Sequence, residues 1–438
     1  MITIGEMSLW IALLLSAWAA IVSFVGDRRQ RSDLIESGRR AVYVTALLVL
    51  VSSAALWNAL FSHDLSLAAV ASHTTRNLPG VYVFSAFWAG RAGSLLFATL
   101  FVACVSTVAV LTFHKADARG RLIGVLGLFL LVLLAACLAA NPFARLQWVP
   151  VEGVGLDSRV QDPRALLRTP VLYLAYATSA IAIAAGGVAL SGVGSRQQVP
   201  VAVRRWLAMA WALSSAAVLT GLGWAYREPG MLGSWTFQPI RDGSIILLAA
   251  LSVALLVDLR RVDVSSSVPS GARRGRVATA AAVIALMITS VGLGGVVFRR
   301  ATAVQLAAAD TAKITDMFGD EWTITSQGFS RYTALNRNVT AVALAVNRNG
   351  KRAGLVTTEV RQYFDGRGAS LPRISVEPGV KSSWNGDLYV FLTSYDDTGR
   401  AGLQVLLNPF AKWIWVGGTL LTLCGLWLFW PHSQERPA

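Results

Sequence analysis

Gly223-Trp224-Ala225-Tyr226-Arg227-Glu228-Pro229-Gly230-Met231-Leu232-Gly233-Ser234-Trp235-Thr236-Phe237-Gln238-Pro239-Ile240-Arg241-Asp242-Gly243-Ser244 is a loop dense in aromatic residues and glycine, set between apolar runs at 206–222 and 244–257. Apolar runs of this kind cross a hydrocarbon layer about 30 Å thick, which puts the loop at a membrane surface. Flat rings, with glycine backbone that permits close approach, suit a large planar cofactor. Trp and Tyr also gather at the headgroup level of any membrane protein, so an interfacial aromatic belt is the alternative for the same residues.

Outward from the loop, the composition agrees. Of 438 residues, 54% are apolar and only 14% charged, which excludes an ordinary soluble domain. Further apolar runs lie near 8–25, 41–61, 94–113, 122–140, 170–191, 277–298 and 413–430. The expected fold is a polytopic α-helical membrane protein with about nine transmembrane helices. The formal charge of +15 sits mostly in short connections: Arg28, Arg29, Arg31, Arg39 and Arg40; Lys115, Arg119 and Arg121; Arg196, Arg204 and Arg205; Arg260, Arg261, Arg273, Arg274 and Arg276. These are topological signals, and they exclude nucleic acid as the meaning of the charge. They place the four basic loops in the cytoplasm. The N-terminus, the aromatic loop and residues 299–411 then lie on the exterior side of a bacterial cytoplasmic (inner) membrane, with the C-terminus cytoplasmic. Glu6 and the absence of basic residues before the first run mark an uncleaved helix rather than a signal peptide.

Three parts are expected along the chain: an eight-helix bundle over 1–298, an exterior β-rich domain over 299–411, and a last helix with a cytoplasmic tail over 412–438. Residues 340–346 and 352–360 read as strands joined by a turn with Asn349-Gly350 at its tip. Short strands are expected at 373–376, 387–392 and 403–407, whereas Arg300 to Gly319 has a helix-compatible pattern and is expected to be a connector. Cys104, Cys137 and Cys424 fall in apolar runs with no Cys-x-x-Cys spacing, so they read as packing residues and not a thiol relay.

Several exterior stretches share an order with a known family. The aromatic loop resembles the tryptophan-rich "WWD" signature. Asp64-Leu65-Ser66, Val70-Ala71, Leu78-Pro79 and Trp88-Ala89-Gly90-Arg91-Ala92-Gly93-Ser94-Leu95-Leu96 form a second block. Asn141-Pro142-Phe143, Gln161-Asp162-Pro163 and Pro170-Val171-Leu172-Tyr173 form a third. Asp387-Leu388-Tyr389-Val390 and Asn408-Pro409-Phe410 through Ile414-Trp415-Val416-Gly417-Gly418 close the chain. Together they resemble the CcmF-type subunit of the bacterial cytochrome c maturation system, in a shortened and divergent form.

The resemblance implies a haem lyase-type (holocytochrome c synthase) subunit. It would take haem b as a transferred substrate, with a haem chaperone, apocytochrome c and other maturation subunits as partners. It implies Trp224, Tyr226, Trp235, Phe237 and Trp88 as ring contacts, with Arg168, Arg227 and Arg241 for the propionates. Arg168 stands where the family carries a histidine, and arginine pairs with carboxylates but does not ligate iron. Gln238 stands for the signature's aspartate, Arg241-Asp242 for its Glu-Asn, and Ala92 for a glutamate. No histidine occupies 255–258 or 276–280, where the family has two more, and a short basic linker replaces the helices between them. Of the four histidines, His114 and His432 are expected in the cytoplasm. His63 and His73 are exterior, and with Met231 they are the candidates for haem iron. A non-catalytic docking subunit that binds the chaperone or apocytochrome but no haem is the second reading. A transporter is disfavoured because no ionisable residue lies well inside a run.

Overall fold

The computed structural model describes residues 1–113, 119–158, 160–190, 198–226, 269–295, 298–334, 336–365, 368–396 and 399–429. These divide into two compact units. The first holds residues 1–217, 269–275 and 425–429, and the second 218–226 and 276–424.

The first unit is helical: α1 (Ile2–Arg29), α2 (Ser32–Phe61), the short α3 (Ala68–His73) and α4 (Gly80–Ala86), α5 (Arg91–Thr112), α6 (Arg119–Ala140), α7 (Pro163–Leu190) and most of α8 (Gln198–Ala225). Leucine, alanine and valine dominate these helices, and every backbone group in a spanning segment must be bonded within its own helix. Chain ends are handled locally. Gln30, in left-handed conformation at φ 52°, caps α1, and the Arg31 N–H returns to the Gly26 carbonyl at 2.9 Å. That reversal lets α2 start at once and pack against α1, which also packs against α6. Small residues permit the approach: a Cβ on Gly127 of α6 would lie 2.7 Å from the Ala20 backbone nitrogen. An ion pair of 2.7 Å joins buried Asp27 of α1 to Arg121 of α6.

The stretches Leu156…Gln161-Asp162-Pro163 and Asn141-Pro142-Phe143 serve these helices. Asp162 Oδ1 accepts the Arg164 N–H at 2.8 Å, so Asp162 caps α7 while Pro163 takes its first turn. Gln161 donates to the Leu156 carbonyl at 2.8 Å. Asn141 ends α6 at φ 47°, and Phe143 is packed under Gly5.

The second unit contains the end of α8, α9 (Pro269–Gly295) from Arg276 onward, nine strands, and α10 (Ala411–Phe429) up to Cys424. The strands are β1 (Arg300–Leu306), β2 (Thr311–Thr315), β3 (Glu321–Ala334), β4 (Arg337–Arg348), β5 (Lys351–Phe364), β6 (Ser370–Glu377), β7 (Gly379–Ser382), β8 (Gly386–Tyr395) and β9 (Ala401–Pro409). They form two antiparallel sheets in the orders β1-β9-β8-β7 and β2-β3-β4-β5-β6. Inward residues of both sheets, among them Trp322, Ile324, Leu344, Val356, Val390 and Val405, make one buried cluster.

Among the described residues, seven helices are long and apolar enough to cross a membrane. The count of nine is therefore not reproduced: the run at 244–257 lies outside the described residues, and α9 contributes only a shorter apolar section, Ala280–Gly292. The expected β-rich region before the last helix is present. The hairpin turns where expected, with Asn349 at φ 49° and Gly350 at φ 75°, the pair of positive angles that a two-residue primed turn requires. The expected helix-compatible connector at 300–319 is corrected. Thr302, Val304 and Leu306 alternate along β1 and pair with β9, and Ala312 and Ile314 pair with β3. Alternation matched to an available partner edge overrides the helix propensity of alanine.

Candidate functional site

In the second unit, four stretches remote in sequence meet at Tyr226. This residue follows α8 directly, its N–H bonded to the Leu222 carbonyl at 2.7 Å. Its ring stands edge-on to Tyr389 (centroids 5.5 Å) and to Trp415 of α10 (6.0 Å). Its hydroxyl donates to Asp387 Oδ2 at 3.0 Å and accepts from Asn408 Nδ2 at 3.2 Å. Ser382 Oγ donates to Asp387 Oδ1 at 2.7 Å, and the Ser383 N–H to the same oxygen at 3.3 Å.

Strand register explains the convergence. Asp387 and Asn408 are cross-strand partners of β8 and β9, and Tyr389, two residues on from Asp387, shares its face. Asp387 is 2% exposed and Asn408 3%. Burial pushes the Asp387 carboxyl above the usual carboxylate range, against the lowering effect of its hydrogen bonds. Burial, and next the Asp387 charge, push the Tyr226 hydroxyl up. The phenol therefore keeps its proton and serves as a donor. With Tyr226, Asp387 and Asn408 buried, this knot holds the polypeptide at the start of the aromatic loop.

Trp224, two residues earlier, is half-buried. Arg227, Met231, Trp235, Phe237 and Arg241 lie outside the described residues, as do His114 and His432. Asp387, Asn408 and Ser382 were not among the expected site residues. Asp387 and Asn408 stand in the two closing motifs, which show no role until the strands are paired, and Ser382 stands in neither.

The first unit holds a cleft of about 250 Å³ lined by residues that include Ser72, His73, Gly90, Arg91 and Asn141. Hydrogen bonding determines the tautomer of His73. Ser72 Oγ donates to the Ala68 carbonyl at 2.6 Å, so toward His73 Nδ1, 2.8 Å away, it acts as acceptor. The Ala69 carbonyl lies 2.9 Å from the same nitrogen. Nδ1 therefore carries the hydrogen, and in the neutral ring Nε2 keeps a lone pair, the arrangement typical of a metal-ligating histidine. Gly90 makes room for the ring: a Cβ there would lie 2.5 Å from His73 Cε1. Arg91, at the start of α5, is exposed.

Trp88 is 6% exposed, stacked on Phe97 (4.9 Å) and edge-on to Phe84 (5.3 Å), and its Nε1 has no hydrogen-bond partner. Its ring is part of the aromatic core with Trp57 and Phe87. Arg168 is half-buried early in α7. His63, at φ 51° beyond α2, is half-buried and does not line the cleft with His73. Among the described residues no three His, Cys, Asp or Glu side chains are grouped to hold a metal ion.

No protein-family model matches the chain. It is 28% identical to the cytochrome c-type biogenesis protein NrfE of Haemophilus influenzae over 265 residues, covering 59% of this chain and 41% of NrfE. It is 30% identical to the cytochrome c-type biogenesis protein CcmF of Escherichia coli over 250 residues, covering 55% and 37%. The match thus spans about two fifths of the length of these curated relatives. In fold it is similar to a solved cytochrome c heme lyase CcmF, with a TM-score of 0.73 at 14% sequence identity over 98% of both chains.

Spanning helices together with a two-sheet β region before the last helix define a polytopic membrane protein. Its sequence and its fold are similar to those of CcmF-type cytochrome c biogenesis proteins.

Proposed function

We propose that the chain acts in cytochrome c maturation, presenting haem b to apocytochrome c for covalent attachment as part of a membrane haem lyase complex. The observation that carries this reading is the convergence on Tyr226 of Asp387, Tyr389, Asn408 and Trp415, each from a stretch that resembles the family. In the attachment each cysteine S–H adds across a haem vinyl group. The sulfur bonds to one vinyl carbon and the proton goes to the other, so the protein's share is orientation and not redox chemistry.

In this reading Trp224, Trp235 and Phe237 offer ring faces, and Arg227 and Arg241 meet propionates. Tyr226 holds the start of the loop. His73 is the candidate iron ligand of the first unit, with Met231 and His63 behind it, and Arg168 offers a carboxylate partner where the family has histidine. The working parts are the bundle over 1–298, the exterior β-rich domain over 299–411, and the last helix and tail over 412–438. The N-terminus and 299–411 face the exterior, the C-terminus faces the cytoplasm, and the haem chaperone and other maturation subunits are the partners.

The detergent-purified protein, reduced with dithionite and extracted into pyridine, tests this. Haem near one per chain, lost on Trp224→Ala with Trp235→Ala and kept on Trp384→Ala, is the expected result. Arginine at position 168 favours a second reading, a docking subunit that binds the chaperone or apocytochrome but no haem. Haem-free protein that still co-purifies with maturation subunits supports that reading and overturns the first.

A further inference from the structure

At the foot of the β region, side chains from separate turns gather around the first residues of a membrane-spanning helix. Phe318, in the β2–β3 turn, lies 5.3 Å ring to ring from Phe410, the residue immediately before α10. Trp384, in the β7–β8 turn, lies 5.7 Å from Trp413 in the first turn of α10, and Lys412 Nζ sits 4.4 Å from the Trp384 ring centroid. The apolar span begins at Ala411, so these contacts set the depth of both turns: they stand where the polypeptide enters the bilayer.

The tips of both turns are exposed, Trp384 at 58%, Phe318 at 47% and Met317 at 41%, and so is Phe298, just before β1, at 63%. A lone exposed apolar residue means little. This group is different because it surrounds the start of an apolar span and has the composition of an interfacial anchor, aromatic rings with a lysine beside them. Arg299 and Arg300 adjoin Phe298 in the chain, and cations at this level meet lipid phosphates.

Both turns are built before any lipid arrives. Asp316 Oδ1 accepts the N–H groups of Phe318 (2.9 Å) and Asp320 (3.0 Å), and Trp322 Nε1 donates to Asp316 Oδ2 at 3.3 Å. The Ser383 N–H donates to the Gly386 carbonyl at 3.2 Å, and the Phe410 N–H to the Asn385 carbonyl at 3.0 Å. Preordered tips lose little conformational freedom on insertion.

We infer that the β region is seated on the bilayer by these two turns, with Met317, Phe318 and Trp384 in the phospholipid headgroup layer beside Phe298 and the start of α10. A protein partner at this face would have to occupy the level that the headgroups fill. The inference rests on α10 spanning the membrane and not on any haem chemistry.

Photo-crosslinking in native membranes tests it in the full chain without removing a cysteine. p-Benzoylphenylalanine replaces Phe318 or, separately, Trp384, with Leu355 of β5 as the exposed control away from the foot. Phospholipid adducts at 318 and 384, several-fold above those at 355, are the expected result. Adducts to a protein at both positions, or lipid adducts no more abundant than at 355, overturn it. If either variant does not accumulate, Met317→Cys carrying a fluorophore in phosphatidylethanolamine–phosphatidylglycerol nanodiscs replaces it. Quenching by a headgroup nitroxide with protection from iodide is then expected, and full iodide quenching without lipid quenching overturns the inference.

Discussion

Asp387 is a carboxylate at 2% exposure whose nearest donors are two hydroxyls and a backbone N–H. Tyr226→Phe removes the phenol while keeping the ring contacts with Tyr389 and Trp415. Left with one donor fewer, the buried carboxylate is expected to lower stability by about 1–3 kcal/mol, measured by thermal unfolding in detergent. The Asp387 carboxyl is held above its ordinary range by burial, so the folded protein takes up its proton more readily than the unfolded chain. The corresponding stability is present below the unfolded value and is lost as pH rises through the raised folded value. Asp387→Asn removes that dependence, so the melting temperature of the variant relative to the parent is expected to rise from acid toward neutral pH. A constant difference across that range refutes the assignment. In the other unit, Gly90→Ala puts a methyl group 2.5 Å from His73 Cε1. The imidazole has to leave the cleft or the backbone has to shift, at a cost of about 1–3 kcal/mol. The histidine ring resonances observed by NMR are expected to move more than in a Gly80→Ala control, where the added carbon meets nothing within 4 Å.

Among elements, the packing of α1 against α2 and α6 depends on close backbone approach, because lipid supplies no hydrophobic force between helices. Gly127→Leu at the α1–α6 contact is expected to separate these helices and cost about 1–3 kcal/mol or more, read as lower melting temperature and faster proteolysis of the α1–α2 connection. The β4–β5 hairpin shows how much of an element a short sequence specifies. Asn349-Gly350 between two β-rich runs was enough to locate both strands. β1 and β2 were not legible in the same way, since Arg300 to Gly319 is rich in alanine and its alternation gains meaning only against β9 and β3. The resemblance groups the Gln161-Asp162-Pro163 and Asn141-Pro142-Phe143 stretches with the site motifs. Their hydrogen bonds show them starting α7 and ending α6, so part of what resembles a site motif is helix punctuation.

For the whole molecule, replacing 299–411 with a short linker separates the two readings of function. If the chain presents haem, haem is expected to remain with the helices while transfer to apocytochrome c is lost. If it only docks partners, co-purification of maturation subunits is expected to fall while haem stays at nil. Unchanged haem transfer and unchanged partners sink both. The membrane class was determined by the sequence alone, because apolar runs and their basic connections are local signals that a bilayer reads segment by segment. The hairpin and the β-rich texture before the last helix were legible for the same local reason. Only the tertiary structure decided that Tyr226 is a buried post and not a free stacking face, that Trp88 belongs to a core cluster, and that Asp387 and Asn408 act together. The roles of Tyr226, Asp387 and Asn408 come from strand register and from contacts between residues more than 150 positions apart, and the burial that pushes the Asp387 carboxyl above its ordinary range exists only once the sheets have formed.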